Sequence, residues 1–278
     1  MNRTTINIDG KLLTITNGLI LGILNATPDS FFEGSRIDDQ SLLHQAEKHI
    51  SEGADILDLG GFSSRPGAKF ISREEEAARL MGKIKTIKHH FPNTPISVDT
   101  FRSSVAKMAV NEGASIINDI SGGNFDPAMW PTIAELQVPF IAMHCEGTPE
   151  NLHPVMDYEN LLKHVYKRFT EMDLMACELG ISDLIIDPGF GFSKSKAENF
   201  EILHNLDFFS PINRPLMVGV SRKRMTWKTP TDGAEQALEG TIAAHAIAAT
   251  QGDFLYRVHD VKAMKDVLNK AQSTEKTA

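Results

Sequence analysis

Leu21-Gly22-Ile23-Leu24-Asn25 is a short apolar run that ends in a polar side chain, and the same pattern occurs seven more times along the chain. The later runs end at Asp58, Asp99, Asn118-Asp119, His144, Asp187, Ser221-Arg222-Lys223 and Arg257-Val258-His259. Helix-like segments separate them, which predicts an α/β fold: a (β/α)₈ or TIM barrel. Because the carboxyl ends of barrel strands build the active site, the polar ends form one set of candidate site residues.

Length and composition predict one domain. The chain has 278 residues, of which 41% are hydrophobic and 23% charged, which suits a barrel of about 250 residues. We therefore expect a single domain over residues 1–278, with its core at 19–270 and a disordered tail at 271–278. Thr4–Ile8 and Lys11–Ile15 flank Asp9-Gly10, a pair that favours a β-hairpin ahead of the barrel.

Charge and apolar patterning exclude several classes of function. The net charge of −8 argues against a nucleic-acid surface, although local Arg and Lys residues still permit an anionic substrate. No apolar run is long enough for a membrane span, and residues 1–9 lack the apolar region of an export signal. With only two cysteines, Cys145 and Cys177, the expected compartment is the reducing cytoplasm.

Eight helices are predicted between and after the strands. They cover residues 41–52, 73–90, 103–112, 128–136, 158–179, 197–208, 233–250 and 261–270. Two connections, 26–40 and 61–71, are longer than the usual βα loop and leave the catalytic end of the barrel, so we interpret them as substrate clamps or lids. The sequence leaves their conformations open.

Three strand-end residues suggest recognition of a flat, polar heterocycle. Asp99, Asn118 and Asp187 together offer carboxylate and amide groups that could accept and donate hydrogen bonds in one pocket. Each of them could instead cap the helix that follows, as Asp and Asn often do. Three such residues in one barrel favour the pocket. Phe192, after Asp187-Pro188-Gly189-Phe190-Gly191, could stack on the bound ring.

A cationic set predicts an anionic substrate group. It consists of Arg65, Arg222, Lys223, Arg257 and His259. Strands seven and eight of a barrel commonly bind phosphate, and Arg257 and His259 share a strand face, where burial without an anion would be costly. Solvated surface positions are the alternative interpretation. The amide of Asn25 could hold Mg²⁺ whose other ligands are phosphate oxygens and water, although the residue alone does not decide this.

The ordered motifs of the chain resemble the dihydropteroate synthase family, over roughly residues 19–268. They are Gly22-Ile-Leu-Asn-Ala-Thr-Pro-Asp-Ser-Phe31, Asp58-Leu-Gly-Gly-Phe-Ser-Ser-Arg-Pro-Gly67, Ser97-Val-Asp-Thr100, Ile117-Asn-Asp119, Met143-His144 with Gly147-Thr-Pro149, Asp187-Pro-Gly-Phe-Gly-Phe192, Val218-Gly-Val-Ser-Arg-Lys223 and Arg257-Val-His-Asp-Val261. Any one alone would be weak, whereas eight in this order are specific.

The resemblance implies a transferase reaction in folate biosynthesis. In it, 6-hydroxymethyl-7,8-dihydropterin pyrophosphate and 4-aminobenzoate give 7,8-dihydropteroate and pyrophosphate, with Mg²⁺ as cofactor. The implied pterin site consists of Asp99, Asn118, Asp187, Lys223, Met143 and Gly219. Pyrophosphate and Mg²⁺ would belong to Asn25, Arg65, Arg257 and His259, and the aminobenzoate site to Ser64, Arg65, Pro66, Phe31, Phe192 and Ser221. Arg222, beside Ser221, is included among the substrate-binding residues, and a homodimer is expected.

Four positions depart from the family pattern. Phe62 replaces an acidic residue, Ser64 a threonine, Glu146 a glutamine and Ser193 a glycine. Ser64 keeps the hydroxyl group, so activity is expected to survive. The second loop has no added residues of the kind found in sulfonamide-resistant relatives, which predicts ordinary sensitivity to sulfonamides.

Three other functions compete with this one. A methyltetrahydrofolate:corrinoid methyltransferase shares the pterin slot but needs no pyrophosphate site. An inactive paralogue would bind pterin without turnover. A sugar-phosphate isomerase or aldolase would need a base at a strand end, for which Lys223 is the candidate, but it would leave the three-residue pterin array without a purpose.

Overall fold

The computed structural model describes residues 5–26, 39–62, 70–154, 156–229 and 231–275. Its centre is an eight-stranded parallel sheet: β3 Leu19–Asn25, β4 Ile56–Gly60, β5 Ile96–Asp99, β6 Ile116–Asp119, β7 Phe140–Met143, β8 Leu184–Asp187, β9 Met217–Val218 and β10 Leu255–Val258. A parallel bridge between Ile186 and Leu216 joins the two ends of the sheet. The predicted barrel is confirmed.

The hairpin ahead of the barrel is also confirmed. It consists of β1 Thr5–Ile8 and β2 Lys11–Thr14, which pair antiparallel. Ile6, Ile8 and Ile15 pack in one buried cluster with residues of the barrel interior such as Leu21 and Ile185. The hairpin therefore covers the amino-terminal end of the barrel with apolar side chains and leaves the carboxyl ends of the strands for the site.

Helices surround the barrel strands. They are α1 Asp39–Ser51, α2 Arg73–Leu80, α3 Lys83–His90, α4 Ser103–Asn111, α5 Met129–Leu136, α6 Leu161–Glu178, α7 Lys196–His204, α8 Leu238–Ala249 and α9 Val261–Glu275. Alternate strand residues, such as Ile20 and Leu57, pack outward in the cluster that the helices cover. Within the described ranges, no helix is both long and apolar enough to cross a bilayer.

Three helix predictions need correction. The single helix predicted over 73–90 is two helices, since Gly82 adopts φ +77°, a left-handed conformation that glycine tolerates and a helix interior does not. Residues 234–236 form a 3₁₀ turn before α8, and residues 206–212 form another after α7. The tail predicted as disordered from 271 is helical to Glu275, and 276–278 lie outside the described residues.

Candidate active site

The alternation of strand side chains places the site directly above the apolar interior of the barrel. One buried interior layer contains Ile56, Ile116, Ile141, Ile185, Met217 and Leu255. The residues two positions later are Asp58, Asn118, Met143, Asp187, Gly219 and Arg257. Because side chains two apart on a strand share a face, these residues also point into the barrel, at its carboxyl end.

Arg257 joins two carboxylates across this end of the barrel. Its Nε donates to Asp58 Oδ2 at 2.6 Å, and its Nη2 donates to Asp99 Oδ2 at 2.7 Å. Asn118 lies directly opposite Asp99 in the strand register, and its amide nitrogen is 3.4 Å from Asp58 Oδ1. Asp58, Asp99, Asn118 and Arg257 therefore form one hydrogen-bonded group, which we call the acidic cluster.

Burial changes the pKa values of the acidic cluster. Burial raises the pKa of Asp99 to about 7; the positive charge of Arg257 opposes this rise, and the negative charge of Asp58 adds to it. Burial disfavours the charge of Arg257, but Asp58 and Asp99 outweigh it and raise the pKa of the guanidinium.

Asp187 and Lys223 lie on the other side of the barrel end. Asp187 Oδ1 accepts a hydrogen bond from the Gly189 backbone at 2.7 Å, and Lys223 Nζ donates to the carbonyl oxygen of Phe190. A methyl group added at Gly219 would lie 3.8 Å from Lys223 Nζ and 3.9 Å from Asp187 Oδ2, so Gly219 leaves space beside both. Burial lowers the pKa of Lys223 to about 8, while the Asp187 carboxylate opposes that shift.

Apolar side chains form a wall beside these polar groups. Met143 and Phe192 belong to one buried cluster, and the Lys223 ammonium lies 4.7 Å from the centre of the Phe192 ring. The cluster also contains Phe101, Ile120, Cys145 and Leu152, with Phe62 and Phe125 packed against it. A flat apolar surface next to hydrogen-bonding groups suits a conjugated heterocycle.

The remaining strand-end residues occupy two different settings. Ser221 Oγ lies 3.1 Å from His259 Nδ1 and accepts a hydrogen bond from the His259 backbone at 3.1 Å, so these two predicted residues are together. Arg222 instead makes a two-point contact with Asp260, at 2.8 Å and 2.6 Å. Its guanidinium is therefore committed to a structural ion pair rather than shared with the acidic cluster.

Asn25 ends β3 and is half-buried. In the strand register it is paired with Gly60, which in turn is paired with Asp99. This places Asn25 at the same level of the barrel as the acidic cluster. Phe31, Ser64, Arg65 and Pro66, which were also predicted to contact substrates, lie outside the described residues.

Two charged residues, the buried Asp58 and the partly buried Lys194, were missed as site residues. Asp58 was recognised as a strand end without a role, although its position two residues after Ile56 already placed it on the interior face. Lys194 lies in a loop, where no periodicity marks it. Its Nζ is 3.0 Å from His144 Nδ1 and donates to the carbonyls of Gly189 at 3.2 Å and Phe192 at 3.1 Å. Burial lowers the pKa of Lys194 to about 7.

Lys194 holds the backbone that carries Phe192 against the end of β7. Gly189 makes this approach possible: it has φ +71°, and a Cβ there would lie 2.1 Å from the carbonyl oxygen of His144. A side chain at this position is therefore excluded by both conformation and space.

Comparison with known proteins agrees with this geometry. The profile of the family described as "Pterin binding enzyme" matches residues 21–259. Dihydropteroate synthase of Bacillus subtilis is 41% identical over 248 residues, covering 88% of this chain and 84% of the relative. Xanthomonas albilineans dihydropteroate synthase with 4-aminobenzoic acid superposes with a TM-score of 0.90 at 34% identity, covering 99% of each chain. The same enzyme in complex with 7,8-dihydropteroate gives a TM-score of 0.86 at 33% identity, covering 98% of each chain. The chain therefore belongs to the pterin-binding enzyme family and is a transferase of the dihydropteroate synthase type.

Proposed function

We propose that the chain condenses 6-hydroxymethyl-7,8-dihydropterin pyrophosphate with 4-aminobenzoate, releasing pyrophosphate and 7,8-dihydropteroate. The observation that carries this proposal is the set of Asp99, Asn118, Asp187 and Lys223 around one barrel end, beside Met143 and Gly219. Relatives with 4-aminobenzoic acid and with 7,8-dihydropteroate bound share the fold over nearly the whole chain.

The pterin is the substrate that the polar groups match. Its amino-pyrimidine edge carries both N–H donors and acceptor atoms. The carboxylate of Asp187 and the amide oxygen of Asn118 can accept hydrogen bonds from the N–H groups, and Lys223 can donate one to an acceptor atom. Met143 supplies an apolar face for the ring. Asp187 is buried and Lys223 is partly buried, so the hydrogen bonds they form are strengthened by the low local dielectric.

The diphosphate is assigned to the side of the site formed by β10 and the loop after β9. Arg257 donates one hydrogen bond from Nε to Asp58 and one from Nη2 to Asp99. Because a guanidinium has five N–H donors, the remaining N–H groups can bind an anion. His259 and Ser221 lie together at the end of β10. Arg65 is assigned here by resemblance alone.

The family implies Mg²⁺, and the residues at the end of β3 fit it. Asn25 offers an amide oxygen, a hard ligand of the kind Mg²⁺ takes, and its register places it beside the carboxylate-bearing strands. Asn25 would hold the ion together with substrate phosphate oxygens and water. The chemistry supplied there is neutralisation of the charge that develops on the departing diphosphate.

The residues of this chain then control the two bond changes. As the bond between the pterin methylene carbon and the diphosphate oxygen breaks, Arg257 and His259 stabilise the anion that leaves. Asp99, as a carboxylate, stabilises the electron-poor pterin that remains. The aminobenzoate nitrogen attacks the methylene carbon, forms the C–N bond and loses a proton, so no enzyme nucleophile is required.

The relatives named as dihydropteroate synthases favour the synthase over the corrinoid methyltransferase, which shares the pterin slot. Such a methyltransferase would not need Ser221, Arg257 and His259 as an anion site. The family resemblance further predicts a homodimer and sensitivity to sulfonamides.

The test is pyrophosphate release by the purified chain with pterin pyrophosphate, Mg²⁺ and 4-aminobenzoate. We expect release that requires aminobenzoate and falls at least about 100-fold in Asp99→Asn and Lys223→Ala. Lys107→Ala, at an exposed position paired with Glu135, is the matched control and should retain full activity. Saturable pterin binding without release would favour an inactive paralogue, and neither binding nor release would overturn the proposal.

A further inference from the structure

A second group of ligand-bearing side chains lies outside the candidate active site. It consists of His144, Glu146 and His164, which we call the His-Glu-His cluster. His144 follows Met143 at the end of β7, Glu146 lies two residues later, and His164 lies in the first turn of α6. Because adjacent residues of an extended strand point to opposite sides, His144 faces the helix layer while Met143 faces the pterin slot.

The three ligand atoms are close enough to share one ion. Glu146 Oε1 is 2.7 Å from His164 Nε2 and 3.3 Å from His144 Nε2, and all three atoms lie within 4.8 Å of one another. Zinc bonds of about 2.0–2.1 Å in a tetrahedral arrangement place ligand atoms roughly 3.3 Å apart. The cluster reaches that arrangement by small side-chain movements, and Glu146 and His164 are exposed enough to make them.

A second, independent observation also indicates a ligand at this position. The His144 side chain is fully buried, and its Nε2 faces Glu146 Oε1 at 3.3 Å without a well-directed hydrogen bond. A buried ring nitrogen that is poorly hydrogen-bonded lowers the stability of the folded chain, so an ion between this nitrogen and the carboxylate would be favourable. Nε2 is the atom that faces Glu146.

The other ring nitrogen of His144 is held by Lys194. Nζ of Lys194 has three partners: His144 Nδ1 at 3.0 Å and the carbonyls of Gly189 and Phe192. These contacts fix the orientation of the imidazole ring, so that Nε2 stays directed at Glu146.

We propose that His144, Glu146 and His164 bind a divalent transition-metal ion of the zinc type, with water completing the coordination. Two imidazole nitrogens and one carboxylate oxygen are a ligand set that suits Zn²⁺ and not Mg²⁺, which prefers oxygen ligands. The site is thus distinct from the Mg²⁺ role assigned to Asn25. It depends on Glu146, which stands where glutamine is usual in this family, so it is a property of this chain rather than of the resemblance.

An ion in this position would join the segment after β7 to α6. The surrounding contacts are already in place: Tyr158 donates to the Ser193 carbonyl at 2.9 Å, and its ring lies 5.0 Å from that of His164. The Glu146 backbone donates to Ser193 Oγ at 3.2 Å. The expected effect of the ion is therefore on the rigidity of this segment.

Equilibrium dialysis of the full chain against ZnCl₂, without substrates, tests the proposal. We expect one zinc ion per chain, with affinity at least about tenfold weaker in Glu146→Gln and in His164→Ala, since each change removes a ligand. Excess MgCl₂ should not displace the zinc. His89→Ala is the matched control, because His89 and His90 are an exposed pair with ring centres 5.3 Å apart and should contribute nothing.

Circular dichroism of each variant establishes that it is folded, which is expected because Glu146 and His164 are at the surface. Zinc that binds equally to the wild-type chain, Glu146→Gln and His164→Ala would overturn the proposal. So would stoichiometric binding that is lost in His89→Ala, or the absence of binding to the wild-type chain. Retention of pyrophosphate release in His164→Ala would leave the proposed synthase function intact whichever way the zinc measurement falls.

Discussion

Asp58 and Arg257 lie 199 positions apart in the chain, yet the Oδ2 of the first and the Nε of the second are joined by a 2.6 Å hydrogen bond. Asp58 is fully buried, whereas Arg257 retains 20% of its side-chain exposure. The pair connects β4 to β10 across the barrel end. It also orients the guanidinium that we assign to the departing diphosphate, so we expect Asp58 to affect the reaction through Arg257 rather than by contact with the substrate.

Asp58→Asn should therefore weaken both stability and turnover. The amide keeps the size of the side chain but leaves Arg257 with one carboxylate, and we expect a loss of about 2–3 kcal/mol, less than for a fully buried pair because Arg257 is partly exposed. Urea unfolding and pyrophosphate release are the measurements. Glu135→Gln, which breaks the exposed pair with Lys107, should change stability by no more than about 0.5 kcal/mol. Equal effects of the two substitutions would contradict the assignment.

The sequence predicts the strands and their inward residues better than it predicts the connections. Strand alternation is a strong signal, because Ile116 and Asn118 must share a face once β6 is recognised. The break between α2 and α3 was missed because the apolar spacing continues through Met81 and Gly82, and only the left-handed conformation of Gly82 shows it. Helical periodicity indicates which face of a segment is buried, but it does not show whether that segment is one helix or two.

Pairing between distant charges is the part of the site that the sequence could not supply. Arg257 was expected to require an anionic ligand for burial, and the structure instead surrounds it with Asp58 and Asp99. Lys194 gave no signal at all, because two of its partners are backbone carbonyls of its own loop and the third is His144, which follows a different strand. Such contacts depend on the closure of the barrel, which no local pattern encodes.

Arg102 is predicted to control the loop at 63–69 from outside it. Its Nη1 donates to the buried Glu76, and its Nη2 donates to the Ile71 carbonyl at 2.6 Å. Its guanidinium lies 5.9 Å and 5.2 Å from the ring centres of Phe62 and Phe70, the described residues on either side of that loop. Both ends of the loop are thus attached to one side chain.

Arg102→Lys keeps the positive charge but removes the planar guanidinium, which bonds Glu76 and the Ile71 carbonyl at the same time. We expect a loss of about 1–3 kcal/mol in urea unfolding. The KM for 4-aminobenzoate should rise more than the KM for pterin pyrophosphate, because the loop carries Ser64 and Pro66, which the resemblance assigns to the aminobenzoate site alone. Arg73→Lys serves as the control, because the Arg73 side chain is 61% exposed and pairs only with its neighbour Glu74 among the described contacts. A proportional rise in both KM values would show that Arg102 does not act through the loop.

The burial of His245 is expected to lower the free energy of unfolding at acidic pH. It is buried in α8, and burial lowers its pKa to about 4 from 6.5. Below pH 6.5 the unfolded chain binds a proton at this residue that the folded chain does not, so stability falls as the pH drops from 6.5 to 4 and levels off below that. The contribution amounts to up to about 3 kcal/mol, since each pH unit corresponds to about 1.4 kcal/mol.

Comparison with His245→Leu isolates this effect, because the other titrating groups are common to both proteins. Relative to the wild-type chain, the variant should gain stability steadily between pH 6.5 and 4 in urea unfolding. The exposed His89→Leu should give a curve parallel to that of the wild-type chain. A parallel curve for His245→Leu as well would mean that the buried imidazole accepts its proton without cost.

Gly219→Ala separates substrate binding from folding. The added methyl group would meet nothing closer than 3.8 Å, and it would lie between Lys223 Nζ and Asp187 Oδ2, in the space assigned to the pterin. Stability should therefore stay within about 0.5 kcal/mol of the wild-type value. We expect the KM for pterin pyrophosphate to rise at least about tenfold, because a methyl group in a close-fitting slot costs roughly 1–3 kcal/mol of binding. Gly233→Ala, with no atom within 4 Å of the new methyl group, should change neither quantity. An unchanged KM in Gly219→Ala would place the pterin elsewhere, because a ring between Asp187 and Lys223 cannot share that space with the methyl group.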